Sequence, residues 1–205
     1  MTNLTITLYH DNLIFMIAAL FVDPCGPYSY LPIYEVDIWG IERDARKYRG
    51  PHPIVAHPPC ARWGKLSYIR PSLIGKDEGC FESALKSVRK YGGVLEHPKG
   101  SIAFQYYQIK KPTPRFGWDK IGDREWVCEL AQQAYGHKAK KETWLYYVGN
   151  NEPERMKVNY WVGKAQCVIG GRGEKGSKKY RWHTPFAFRD SLIKLAENSM
   201  ISHHD

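Results

Sequence analysis

Pro53-Ile54-Val55-Ala56-His57-Pro58-Pro59-Cys60 and Gly93-Val94-Leu95-Glu96-His97-Pro98 decide how this chain folds. Each is a short apolar run that enters a turn containing proline, as a buried strand entering a stiff loop would. Between them, residues 77–91 place Phe81, Ala84, Leu85 and Val88 on one side of a helix, with charges on the other. Gly92-Gly93 supplies the helix stop. Strand, helix, strand in this order is a βαβ unit, whose strands run parallel.

The pattern extends both ways along the chain. Residues 13–22, LIFMIAALFV, read as a first buried strand ending at Asp23, and 35–41, EVDIWGI, as a second. ERDARKY, 42–48, starts a short helix that Arg49-Gly50-Pro51 ends. Downstream, 125–134 read as a helix, 143–148 as a strand, 149–180 as loop, and 186–198 as a closing helix. Strands alternating with helices predict an α/β fold, a single Rossmann-like domain with a mainly parallel sheet and a loop-rich C-terminal part. One domain over 1–205 is expected. Residues 1–15 form an N-terminal extension, and 150–182 a loop-rich basic insert. Translation from Met1 and from Met16 are both compatible with this reading.

Composition narrows the class. The 205 residues are 43% hydrophobic and 25% charged, which excludes a disordered, collagenous or coiled-coil chain. The longest apolar run, at ten residues, is too short for a membrane core about 30 Å thick. No Lys or Arg occurs in residues 1–12, so a signal peptide is not expected. Thirty Lys and Arg against 21 Asp and Glu give +9, a surface that attracts polyanions, nucleic acid first. The excess concentrates at 138–141, KAKK, and 172–181, RGEKGSKKYR; for the second run a solvated face explains the charge equally well. Five cysteines without a CxxC pair predict a reducing, cytoplasmic location and no disulfide framework. No obligate protein partner is implied.

In a parallel α/β sheet, ligands sit outside the carboxyl ends of the strands. Asp23, Cys25, Glu42, Asp44, Cys60 and Glu96 fall there. Two prolines fix the backbone before Cys60, which suits a thiolate nucleophile that must meet a planar ring at a set distance. A small buried cysteine is the alternative. Glu96, at the end of an apolar strand, is expected to be partly desolvated, with a raised pKa that would let it donate a proton. Trp63, Tyr68, Tyr106, Tyr107, Trp118, Trp144, Tyr180 and Trp182 interleave with basic residues and could stack on unpaired bases. Trp63 is the leading base contact, and Trp144 reads as core.

Taken in order, these segments resemble the C5-cytosine DNA methyltransferase family, in particular its short phage-encoded relatives. The resemblance rests on Pro58-Pro59-Cys60, on Leu95-Glu96-His97-Pro98, on GIERDARKY (40–48), and on YGHKAKKETWLYYVG (135–149). It covers roughly residues 17–149. It implies that Cys60 attacks cytosine C6 while Glu96 holds the ring edge at N3. It also implies that Asp23, Gly26, Glu42 and Asp44 face S-adenosylmethionine, with Glu42 at the ribose hydroxyls. Lys140 and Lys141, and the insert lysines Lys175, Lys178 and Lys179, would steady the catalytic loop or bind phosphates. A phage-encoded protein of this kind would work in the host cytoplasm.

Some motifs depart from the family. Its first glycine-rich motif reads Asp23-Pro24-Cys25-Gly26-Pro27, Glu96 is followed by His97 rather than Asn, and no long target-recognition domain is present. These departures leave room for a catalytically reduced DNA-binding protein of the same fold. A third reading takes Cys25, His57, Cys60, His97 and His137 as candidate zinc ligands of a nucleobase hydrolase. Their spacing matches no compact zinc signature, so no bound metal is expected.

Overall fold

β3 (Ile17–Leu20), β5 (Ile54–Ala56) and the first half of β6 (Gly93–Pro98) are buried on both faces, which is why they read as continuous apolar runs. The computed structural model describes residues 6–9, 12–33, 35–64, 67, 71–114, 116–158 and 183–200. Most of the 150–182 segment, with Lys175, Lys178 and Lys179, therefore lies outside the described residues, as do Tyr68, Tyr180 and Trp182.

Seven strands form one sheet in the order β4-β3-β5-β6-β9-β8-β7, where β4 is Val36–Trp39, β7 Trp118–Lys120, β8 Glu125–Ala131 and β9 Glu142–Val148. β4, β3, β5 and β6 are parallel neighbours; β9, β8 and β7 then add antiparallel. The expected mainly parallel sheet is thus mixed. β1 (Ile6–Tyr9) and β2 (Asn12–Phe15) pair as a separate two-stranded hairpin, so the 13–22 run is divided at Met16.

Alternation along β3 sends Ala18 and Leu20 to one core and Ile17 and Ala19 to the other. The first core is covered by α1 (Cys80–Tyr91) through Phe81, Ala84, Leu85 and Val88, with α2 (Ile102–Tyr106) beside it. The second is covered by α3 (Phe186–Asn198) through Phe188, Leu192, Leu195 and Ala196. Helices on both faces of the sheet give a three-layer α/β arrangement.

The helix expected over 125–134 is strand β8 and a short 3-10 turn, Gln132–Tyr135. Pairing with both β7 and β9 satisfies its backbone, and both its faces are covered. The 42–48 helix reduces to a 3-10 turn, Ala45–Lys47. Among the described residues, no helix is long and apolar enough to cross a membrane.

Candidate active site

The chain leaves β3 toward β4 on one side and leaves β5 toward β6 on the other. Adjacent strands whose exits diverge leave a crevice at their carboxyl ends. A cleft of about 700 Å³ lies there. Its walls come from the exits of β3 (Asp23, Pro24), of β4 (Gly40, Glu42, Asp44) and of β5 (Pro59). Gly40 lets two of these exits touch, since a Cβ there would stand 2.9 Å from the Val22 carbonyl oxygen and 3.2 Å from Pro24. Phe21, Asp44 and Glu78 all line the cleft and all have positive φ (59, 53 and 57°). Strained non-glycine backbone of this kind clusters at functional sites.

Three of the four residues expected at a cofactor share this cleft. Asp23 accepts the Cys25 amide at 2.9 Å and so closes its own turn. Glu42 is exposed. Asp44 is held by Arg46, with Nε at 2.7 Å and Nη2 at 3.2 Å, and that bonding lowers its pKa. Gly26 is not among the lining residues; its amide donates to the Asp23 carbonyl behind the wall. Ile41 contributes an apolar side chain that is 91% exposed.

Beyond Pro59 the same loop carries Cys60, which is half-buried. Its carbonyl accepts the amides of Trp63 and Gly64 at 3.0 and 2.9 Å, which ties the loop down. β5 and β6 are adjacent and parallel with Ala56 beside Leu95, so the loop bearing Cys60 leaves the sheet next to Glu96. Lys141 links the two groups. Burial lowers its pKa, and the nearby Glu96 and Cys60 both oppose that shift. Its backbone φ is 40°, and its Nζ donates to the His183 carbonyl at 2.8 Å. The Lys141 Nζ is thus engaged by the His183 carbonyl, and Lys140 pairs with Glu142 at 3.1 Å.

Glu96 is buried inside a network that its neighbours in sequence do not reveal. Oε2 meets His57 Nδ1 at 3.0 Å, and His57 Nε2 meets the Tyr28 hydroxyl at 2.9 Å. Oε1 accepts Gln132 Nε2 at 3.2 Å and Thr143 Oγ1 at 3.1 Å. Among the described residues, three donors fill three of the roughly four acceptor positions of this carboxylate, with one on Oε2 unfilled. Burial by itself would raise the Glu96 pKa. The His57 hydrogen bond and the Lys141 charge are the largest of the effects that outweigh it and hold the group at about 2. The expected proton donor is therefore an ionised acceptor at neutral pH.

No family model, curated protein or solved structure matches this chain. Its residues alone carry the reading. Trp63 is corrected from a base contact to a core residue: it is 1% exposed, with its indole N–H on Asp77 at 2.8 Å and Phe81 against its ring. Trp144 is core, as its apolar strand suggested, with its N–H on buried Glu129. Of the histidines considered as metal ligands, His57 is bonded to Glu96 and Tyr28, His97 to Ser101, and His137 to the Ala139 backbone. Among the described residues, no group of three or more His, Cys, Asp or Glu side chains is placed to hold a metal ion.

Sequence reasoning missed Tyr28, Gln132 and Thr143, and it weighed His57 only as a metal ligand. The one available signal was the repeated His-Pro at two strand ends, His57-Pro58 and His97-Pro98. On the opposite face of β6 from Glu96, His97 is fully buried, with Nδ1 2.7 Å from Ser101 Oγ. Burial lowers its pKa from 6.5 to about 4, against the opposing pull of Glu96. Because the fold holds this ring neutral, its contribution is complete above pH 6.5 and is lost as pH falls through about 4. The full loss is on the order of 3 kcal/mol, and His52, lowered by burial too, acts in the same direction. Urea midpoints should therefore fall between pH 7 and pH ~4. A midpoint constant across that interval would contradict a neutral, buried His97.

Proposed function

We propose that the chain is a Rossmann-like enzyme of the cytosine-C5 methyltransferase type, acting on a nucleobase in DNA. The observation that carries the proposal is that the loop bearing Cys60 leaves the sheet beside buried Glu96, at the ends of the adjacent parallel strands β5 and β6, and reaches the cleft at Pro59. Glu96 supplies an ionised acceptor with one open position, suited to an N–H on the edge of a cytosine. Cys60 supplies the nucleophile, and Lys141 the positive charge that favours a thiolate. A stacked base hides C6, so the nucleotide must be flipped out or supplied single-stranded.

The cleft fits S-adenosylmethionine by its chemistry. Glu42 and Asp23 offer carboxylates to ribose hydroxyls and to a cationic ligand, and the exposed Ile41 offers an apolar face to a purine. When bound, that molecule supplies the methyl group. Calorimetry tests this directly: S-adenosylmethionine should bind at one site per chain, and Glu42→Ala should weaken it by roughly tenfold or more. Heat-silent titration at high ligand concentration would remove the cofactor from the proposal.

One observation favours a second reading, a DNA-binding protein that keeps the fold without the reaction. Arg46 bridges Asp44 and Glu78 in the cleft wall, at 2.7 and 3.3 Å, and so engages carboxylates that a cofactor would otherwise meet. The same calorimetry separates the two readings, because the second predicts DNA binding without cofactor binding.

A further inference from the structure

A second concavity, of about 340 Å³, runs between α1 and the 3-10 turn Ala45–Lys47. Its charge is opposite to that of the cleft it adjoins. The cleft presents Asp23, Glu42, Asp44 and Glu78 against Arg46 and Lys47. The groove presents Arg46, Arg49, Lys86 and Lys90 against Glu82 alone. Arg46 stands in both walls, so the two spaces meet at one guanidinium.

The cations come from a helical stripe and a fixed turn. Lys86 and Lys90 lie one turn apart on α1, with Ser83 and Ser87 beside them on the same wall. Opposite, Arg49 is anchored: its Nη1 donates to the carbonyls of Arg46 and Tyr48 at 3.0 and 2.8 Å. No other bond holds that exposed guanidinium among the described residues. Arg46 is fixed by Asp44 and Glu78. Lys86 pairs with Glu82 and the Ser83 hydroxyl donates to the Arg46 carbonyl, so Arg49 and Lys90 are the groove cations best placed for phosphate oxygens. The acidic cleft repels a polyanion, and the basic groove next to it attracts one.

We infer that this groove is a track for the phosphodiester backbone of a nucleic acid. It gives the proposed DNA partner a contact apart from the lysines of 138–141 and 172–181. The inference rests on nucleic acid being the partner and is independent of methyl transfer.

Fluorescence anisotropy with a labelled oligonucleotide tests it. Arg49→Glu combined with Lys90→Glu should weaken binding at least about tenfold and reduce the salt slope by about 2, one unit for each lost phosphate contact. Lys120→Glu with Lys157→Glu makes the same charge change outside the groove, Lys120 on the far edge strand β7, and should weaken binding much less. Circular dichroism on both double variants confirms that each is folded. Equal losses in the two double variants would reduce the groove to part of a general positive field and overturn the inference. Wild-type protein that fails to bind, or a groove variant that binds normally, would overturn it too. So would displacement of the oligonucleotide by inorganic phosphate as effective as by unlabelled strand, since that describes a pocket for free phosphate. If the groove variant loses DNA binding while the wild type transfers no methyl group, the track stands and the enzymatic proposal fails.

Discussion

DNA carrying 5-fluorocytosine, incubated with the protein and S-adenosylmethionine, is expected to give a denaturation-resistant complex joined at Cys60. In the proposed reaction the Cys60 thiolate would form an Sγ–C6 bond, and the ring's electron pair would shift to C5. S-adenosylmethionine, held at Asp23 and Glu42, would supply the methyl group that C5 accepts. With cytosine, loss of the C5 proton then restores the double bond and expels the thiolate. Fluorine does not leave as a proton does, so with the fluorinated base the Sγ–C6 bond persists. Cys60→Ser should reduce adduct formation by roughly three orders of magnitude or more, because a serine hydroxyl is almost wholly protonated at neutral pH.

Glu96→Gln should slow adduct formation about 100-fold while leaving DNA affinity nearly unchanged, because it removes the anion that would accept the cytosine N–H. The amide replaces an anion held by three donors with a group that brings its own N–H into the network. Cys25 is the internal control. It is exposed, in the turn that Asp23 closes, and its removal should leave the adduct intact. Mass spectrometry of the cross-linked peptide decides among these outcomes. An adduct at Cys25, or none under saturating DNA and cofactor, would defeat the assignment of Cys60 as nucleophile.

The second large effect is structural: Gly93→Ala should abolish folding. Gly93 opens β6, the strand that carries Glu96, with φ at 119°. A Cβ at this position would drive into the backbone carbonyl and amide of Ile54 on the adjacent strand β5. Strand backbone cannot withdraw without breaking the β5–β6 ladder, and an L-residue is itself strained at this φ. A cost above about 4 kcal/mol consumes most of the stability of an ordinary domain. The variant should show no cooperative urea transition. A transition within ~1 kcal/mol of wild type would mean that β5 and β6 do not meet as described.

Much of the fold follows from the sequence by itself. Apolar runs buried on both faces fix β3, β5 and β6, and a clean 3.6-residue period fixes α1, because local side-chain pattern alone distinguishes these elements. Two prolines before Cys60 and the exits of β3 and β4 likewise mark one end of the sheet, and the cleft lies there with Asp23, Glu42 and Asp44 in its walls. Elements that depend on distant partners are different. In β8, Trp126, Val127, Leu130 and Ala131 have spacing that a helix could also bury. Only the ladders offered by β7 and β9 make it a strand. The N–H of Trp63 finds Asp77 fourteen residues later, and the ring that seemed free to stack on a base closes the core instead. Glu96 shows the same dependence in its charge. Its own segment predicts a desolvated, protonated acid, but His57 arrives from the exit of β5, 39 residues upstream, and Lys141 from the residue before β9. Burial is a local property that a strand pattern announces. The donors that decide ionisation come from wherever the sheet brings them, so only the tertiary structure makes Glu96 an anion.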